Sequence, residues 1–265
     1  MFELGVILPN YGSGDLRDRV LRVAEAAEEL GFHSVWSTEH FLVGKEAAGM
    51  FGRILDSLTT LGWLASRTER VGLGASIVIL PLHHPVRLAK EAATLQELAG
   101  RRLRLGVGVG WHEAEFRFFG VPFRGRGSRA DEQLRLMRAL WSGETEFHGR
   151  HWSFSGAHFG PLPDPLPEIW IGGGSARSLR RARELGDVWH PNARDPEVVS
   201  RGLRALPGGR IVPRVRAPSG DLTGWVAAYR AAGAAGLVIR FGEDGDDLEA
   251  MRRFARDVIA EGVPA

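Results

Sequence analysis

The sequence predicts a closed barrel of eight parallel strands, each followed by a helix. Short apolar runs alternate with stretches of helical spacing along the whole chain. There are eight such strand–helix units in 265 residues, near the usual size of a (β/α)8 barrel. The rhythm breaks once, between the fourth and fifth units, where a small hairpin insertion is expected. An open doubly wound sheet is the alternative, and the continuity of the alternation favours the barrel. One domain over residues 1–265 is expected.

The elements follow in order. Leu4 to Leu8 reads as the first strand. Asp15 caps a helix whose apolar positions are Val20, Val23, Ala24, Ala27 and Leu30, and Gly31 stops it. Ser34 to Ser37 is the second strand, followed by a loop rich in glycine and alanine. Leu58, Leu61, Leu64 and Ala65 mark the next helix, and Val71 to Ile79 the third strand. Leu88, Ala92, Leu95 and Ala99 space a helix that ends at Gly100, before the fourth strand, Leu103 to Val109. Ser128 to Asp131 resembles a capping box ahead of Leu134, Met137 and Trp141.

Phe147, Trp152 and Phe154 flank His148-Gly149-Arg150 as a hairpin would. Pro161, Pro163, Pro165 and Pro167 predict a stiff extended lead into the fifth strand. Helices are then expected over 175–185, 195–205, 221–232 and 246–261, and strands over 187–190, 209–215 and 236–241. Pro213 removes a ladder donor from the seventh strand and should shorten it.

Composition narrows the function. The chain has no cysteine, so disulfides, a thiol nucleophile and iron–sulfur ligation are excluded. Its 34 basic and 32 acidic residues leave a net charge of +2. They are interspersed, so no nucleic-acid stripe is expected. No apolar run reaches the length of a membrane span, and the first strand starts without a signal-like segment ahead of it. A cytoplasmic protein is expected.

In a barrel, chemistry sits on the loops after the strands. Glu168-Ile169-Trp170-Ile171 runs into Gly172, Gly173 and Gly174, then into a helix capped by Ser175. Three glycines let backbone approach a ligand, and the helix start offers free N–H groups, so this reads as a phosphate cradle. A tight turn using glycine for geometry alone is the plainer reading. His40, just past the second strand, can exchange a proton near neutral pH or merely hold its loop. Gly74-Ala75-Ser76-Ile77 ends the third strand with small residues that permit close approach of a ring, or simple packing.

Gly106 to Trp111 is not a dinucleotide fingerprint, because Trp111 stands at the third glycine position. Gly108 and Gly110 read instead as a small-sided strand across which a flat ring can lie, or as tight packing. His83, His84, His148, His151 and His158 lack partners at ligand spacing, so no metal is expected. No Gly-x-Ser-x-Gly element occurs.

Several segments, in order, resemble the bacterial luciferase-like monooxygenase superfamily, in particular its coenzyme F420-dependent oxidoreductase branch. They are Ser37 to Phe41, Gly72 to Ser76 with Leu80 to Pro85, Arg102 to Trp111, Gly120 to Phe123 on to Glu132, Phe147 to Gly149, and Pro167 to Gly173. The resemblance spans nearly the whole chain. It implies a flavin-type ring at the C-terminal mouth and a cis peptide at Ser76–Ile77 propping one face of that ring. It also implies cofactor phosphate on Gly172 to Gly174, His40 near the reactive ring centre, and a homodimer. Two departures stand out. Related sugar-phosphate dehydrogenases carry an acid just after the fourth strand, where this chain has Trp111. The chain is also shorter than many members, with trimmed late loops, so substrate does not carry over.

The expectation is hydride transfer between F420 and a small organic substrate, with His40 as acid/base. The cofactor contacts expected are Ser76, Ile77, Gly108, Gly110, Trp111, Gly172, Gly173, Gly174 and Ser175. The alternatives are an FMN-dependent monooxygenase, a non-catalytic flavin-binding protein, and a phosphosugar barrel with no cofactor.

Overall fold

A computed structural model describes residues 2–243 and 247–260. Eight parallel strands curl into a barrel: β1 (Glu3–Ile7), β2 (Ser34–Ser37), β3 (Gly72–Ala75), β4 (Leu103–Gly108), β5 (Glu168–Gly172), β6 (Val188–His190), β7 (Arg210–Ile211 and Arg214–Arg216) and β8 (Gly236–Arg240). Each pairs with its sequence neighbours, and β1 closes on β8 with Glu3 opposite Gly236. Ile211 pairs with Trp189 of β6, whereas Arg214 pairs with Val238 of β8. The break falls at Pro213, which has no N–H to donate yet still accepts from Val238 through its carbonyl (2.9 Å).

The third strand is also interrupted. It leaves the ladder at Ser76–Ile77, which is cis as the resemblance implies, and rejoins β4 at Val78–Ile79.

The helices are α1 (Leu16–Glu29), α2 (Lys45–Phe51), α3 (Ser57–Ala65), α4 (Pro85–Leu98), α5 (Glu113–Phe118), α6 (Arg126–Trp141), α7 (Ala176–Leu185), α8 (Glu197–Ala205), α9 (Leu222–Ala231) and α10 (Leu248–Phe254). Side-chain caps explain half of the starts: Asp15, Asp56, Ser175, Asp221 and Asp247 each accept an N–H from the first turn. Gly31 ends α1 at φ +84°, a conformation costly for any residue with a Cβ.

Some expectations are corrected. The helix read from a capping box at Ser128 begins earlier, because Gly125 at φ +78° turns the chain at Arg126. Ser128 Oγ donates to the Gly125 carbonyl instead, and Asp131 pairs with Arg181 of α7. The proline-rich lead is not a continuous extended helix, since Gly160–Pro161 and Asp164–Pro165 are cis. The loop after β2 contains α2, and the segment after β4 contains α5. The last helix was expected over 246–261, but positions 246 and 261 lie outside the described residues; α10 continues as a π turn, Ala255–Ile259.

A two-stranded antiparallel hairpin, Glu146–His148 with Ser153–Ser155, lies between α6 and β5 in the chain. Glu132 of α6 holds its turn by accepting from the His151 and Trp152 N–H groups.

The barrel interior is layered. At the bottom, Arg104 and Arg210 both pair with Glu3, and Arg210 also pairs with Glu168. Above them Trp36 and Trp170 fill the axis, their ring centroids 4.5 Å apart, with Ile7, Val188, Val212 and Val238 around them. Glycines make room for these rings: a Cβ on Gly74 would lie 2.3 Å from the Trp36 indole, and one on Gly5 would lie 2.6 Å from it. Gly106 is needed for another reason, since its Cβ would sit 1.9 Å from the Ala75 carbonyl oxygen. Thus the top of the barrel, where the strands end, rests on a dry and closely packed floor.

Candidate active site

The strand ends converge on a cavity of about 400 Å3 at the C-terminal mouth. Ser76 and Ile77 enter it from the third-strand break, His40 from the end of β2, and Gly110 and Trp111 from beyond β4. A second cavity of about 1000 Å3 shares Ile77, Gly110, Trp111 and Asn192 with the first. It extends along Gly108 to Gly172, Gly173 and Ser175. Together they form one cleft from the barrel mouth to the start of α7.

His40 is 7% exposed, and its ring lies between Phe51 of α2 (4.3 Å between centroids) and the edge of Trp111 (5.8 Å). Its loop is fixed from below. Asn10 clamps Thr38 at both backbone groups, accepting its N–H at 3.0 Å and donating to its carbonyl at 2.7 Å. His40 Nδ1 lies 2.9 Å from Glu115 Oε2, and the other oxygen of that fully buried carboxylate accepts the Phe41 N–H at 2.6 Å. Burial alone would raise the Glu115 carboxyl; the hydrogen bonds from His40 and from the Phe41 and Leu42 backbone outweigh it and hold the group below the usual range. An ionised carboxylate only accepts, so Nδ1 carries a proton and donates to it, and in the neutral tautomer the lone pair lies on Nε2. Among the described residues Nε2 has no hydrogen-bond partner.

Glu115 comes from α5, four residues beyond Trp111, and was not among the candidate residues read from the sequence.

Beneath the cavity Ser76 is fixed from two sides. His190 Nδ1 must donate to the Val212 carbonyl (2.6 Å), because a carbonyl only accepts. The Ser76 hydroxyl then donates to Nε2 (2.9 Å). Burial depresses His190 to about 4, so it is neutral at physiological pH. Arg214 Nη1 donates to the Ser76 carbonyl at 2.7 Å. Glu39 accepts the Ile79 N–H at 2.6 Å and binds His83 Nε2. Burial would lower His83, but the hydrogen bond and charge of Glu39 raise it overall.

Gly108 of β4 and Gly172 at the end of β5 line the second cavity and also pack tightly against Ile77. A Cβ on Gly108 would meet Ile77 Cδ1 at 2.3 Å, and one on Gly172 would meet Ile77 Cγ2 at 2.7 Å. They seat the Ile77 side chain, which is then the surface presented to both cavities. Gly110, at φ +72°, lies against Ile79 and Phe116.

At the far end, Gly173 has φ +101°, and its carbonyl accepts from Trp189 Nε1 (2.9 Å) and Ser178 Oγ (2.7 Å). Ser175 caps α7 by accepting the Ser178 N–H at 3.2 Å. First-turn amides of α7 therefore remain available at the cavity rim, with Arg126, Arg177 and Arg180 around them. The one carboxylate in the lining, Asp131, is paired with Arg181. These donors fit a phosphate group. Gly174 does not belong to this lining; it is exposed, with open space where a Cβ would stand.

Among the described residues no three His, Asp or Glu side chains converge as a metal set, and no helix is long and apolar enough to cross a membrane.

Barrel, mouth cavity and phosphate-fitting rim together define a (β/α)8 scaffold with two adjoining cavities at its C-terminal mouth. The family model for luciferase-like monooxygenases matches residues 3–209, and the chain belongs to that family. It is 34% identical over 182 residues to an F420-dependent glucose-6-phosphate dehydrogenase of Kineococcus radiotolerans, covering 67% of this chain and 52% of that one. The fold matches an F420-dependent secondary alcohol dehydrogenase bound to an F420–acetone adduct (TM-score 0.82, 16% identity, covering 100% and 99% of the two chains). It also matches the FMN-bound oxygenating component of 3,6-diketocamphane monooxygenase from Pseudomonas putida (TM-score 0.78, 16% identity, 98% of each chain). The chain spans about half the length of the first curated relatives it matches, 43% and 48% for two of them.

Proposed function

We propose that the protein is an oxidoreductase, a single luciferase-like barrel over residues 1–265, that transfers hydride between coenzyme F420 and a small organic substrate. The observation that carries this is the continuity of the cleft. One chamber holds a buried His–Glu pair, the other ends on phosphate-fitting donors, and Ile77 lies between them. When bound, a deazaflavin supplies a two-electron hydride carrier. Ile77 and the Ser76 backbone form the floor beneath its ring. Gly172, Gly173, Ser175 and the first amides of α7 hold its phosphate. Removing hydride from a substrate carbon requires the attached heteroatom to lose a proton. His40 Nε2 takes that proton, and returns it in the reverse direction, while Glu115 stabilises the charged ring. Positioning by Phe51 and Trp111 keeps His40 at the cavity wall.

F420 is favoured over FMN by the exposed Arg177 beyond the cradle, which extends positive charge past a single phosphate and suits an acidic tail. The FMN-bound structural neighbour supports the second reading, an FMN-dependent monooxygenase. The working protein in this account is a cytoplasmic homodimer with no nucleic-acid or membrane partner. Absorbance titration of the purified protein with F420 and with FMN in turn decides the cofactor. Saturable binding of F420 at micromolar concentration is expected; binding of FMN alone selects the second reading, and binding of neither removes both.

A further inference from the structure

The side of the mouth cavity away from the cradle is formed by β7 and β8. Three arginines enter there, Arg214 and Arg216 from β7 and Arg240 from β8. Arg214 and Arg216 are two residues apart on one strand, and both line the cavity, as does Val215 between them. Arg216 stands in register with Arg240 on the adjacent strand. Arg240 is already engaged, donating to the Glu243 carbonyl and lying 4.9 Å from the Tyr11 ring.

Arg214 and Arg216 have no acid partner among the described residues. Arg214 donates only to neutral acceptors, the Ser76 carbonyl and hydroxyl and the Thr38 hydroxyl. Arg216 is exposed and makes no ion pair among the described residues. Glu39, the one carboxylate lining this cavity, is occupied by the Ile79 N–H and His83. Burial lowers Arg214 to about 10, which still leaves it charged at neutral pH.

We propose that Arg214 and Arg216 anchor the acid group of the substrate, which is therefore a small organic anion, a carboxylate or a phosphate monoester. The inference rests on the proposed function for what happens at the other end of that molecule. Met50, Phe51 and Trp111 line the same cavity and supply apolar walls for its body. With its acid group on β7, the molecule directs its far end across the cavity towards His40. A guanidinium fork suits either oxyanion through paired charge-assisted hydrogen bonds.

Calorimetric titration with benzoate, phenyl phosphate and benzamide tests this, because the three share a ring and differ in charge. It is done on the protein alone and again with the cofactor that binds, so that the cradle is filled in one arm. One or both anions should bind at least about tenfold tighter than benzamide, and the tighter of the two identifies the acid group. Arg216→Gln and Arg214→Gln should each remove most of that preference. Arg216→Gln, at an exposed position, should leave cofactor affinity within about threefold, a separation that distinguishes a substrate anchor from a cofactor contact. Equal binding of benzamide and the anions overturns the proposal, as does an undiminished preference in both variants. Loss of cofactor affinity in Arg216→Gln with anion binding intact also overturns it. If no cofactor binds, the proposed function fails, and the titrations on the protein alone still decide the anion site.

Discussion

At the scale of single residues, the site is a proton-handling pair, and half of it was legible. A histidine just past the second strand is placed at a barrel mouth by counting alone, and His40 is there. Its partner was hidden by distance: Glu115 lies 75 residues on, on a helix of six residues that no periodicity signals. Arg214 was missed for another reason. Pro213 marks the seventh strand as short, and strand-end counting names no residue after it. His40→Ala should leave cofactor affinity within a few-fold and reduce turnover by roughly 10²-fold or more. Glu115→Ala should lower turnover in the same direction. Normal turnover by His40→Ala on an identified substrate would make it a packing residue.

His190 makes a second claim, about pH. The unfolded chain takes up a proton near pH 6.5 that the folded chain refuses until about pH 4. Stability therefore falls as pH drops through that window, by roughly 2–3 kcal/mol between pH 7 and pH 4.5 from this residue. Urea unfolding at the two pH values measures it. His190→Gln should show a decline smaller by that amount; an equally steep decline would mean His190 titrates normally.

At the scale of elements, strands and caps were the easiest to read, because apolar runs and single Asp or Ser residues encode them locally. The two short helices beside the site, α2 and α5, were not. Each is seven residues or fewer and depends on packing that the sequence pattern does not display. α2 brings Phe51 against His40, and α5 brings Glu115. The β4 glycines were read as small residues that admit a ring or pack tightly, and the structure shows the packing they serve. Gly106 leaves space for the Ala75 carbonyl, and Gly108 for Ile77, so the ring floor is an isoleucine seated by glycines. Gly106→Ala pushes a methyl into backbone that cannot move away, and it should destabilise the barrel by about 1–3 kcal/mol. Chemical denaturation reads this directly, and an unchanged midpoint would show that β3 and β4 tolerate wider separation there.

At the scale of the whole molecule, the barrel was legible because eight units of alternating pattern leave few closed arrangements. Even the discontinuity of β7 was visible at Pro213. A dimer is expected in solution, and light scattering at micromolar concentration checks it; a monomeric mass would contradict that part of the account. The central claim is that one cleft joins a ring floor at Ile77 to a phosphate cradle at Gly173. Spectroscopic titration of F420 into the parent, Gly173→Ala and Gly173→Asp tests it most directly. Both variants place a side chain at φ +101°, with a Cβ 3.3 Å from Ser178, so their difference reports the added carboxylate rather than the backbone strain. The account predicts that Gly173→Asp binds F420 at least about 100-fold more weakly than Gly173→Ala, with both variants folded by circular dichroism. Equal affinity of the two variants would place the phosphate elsewhere and contradict the account.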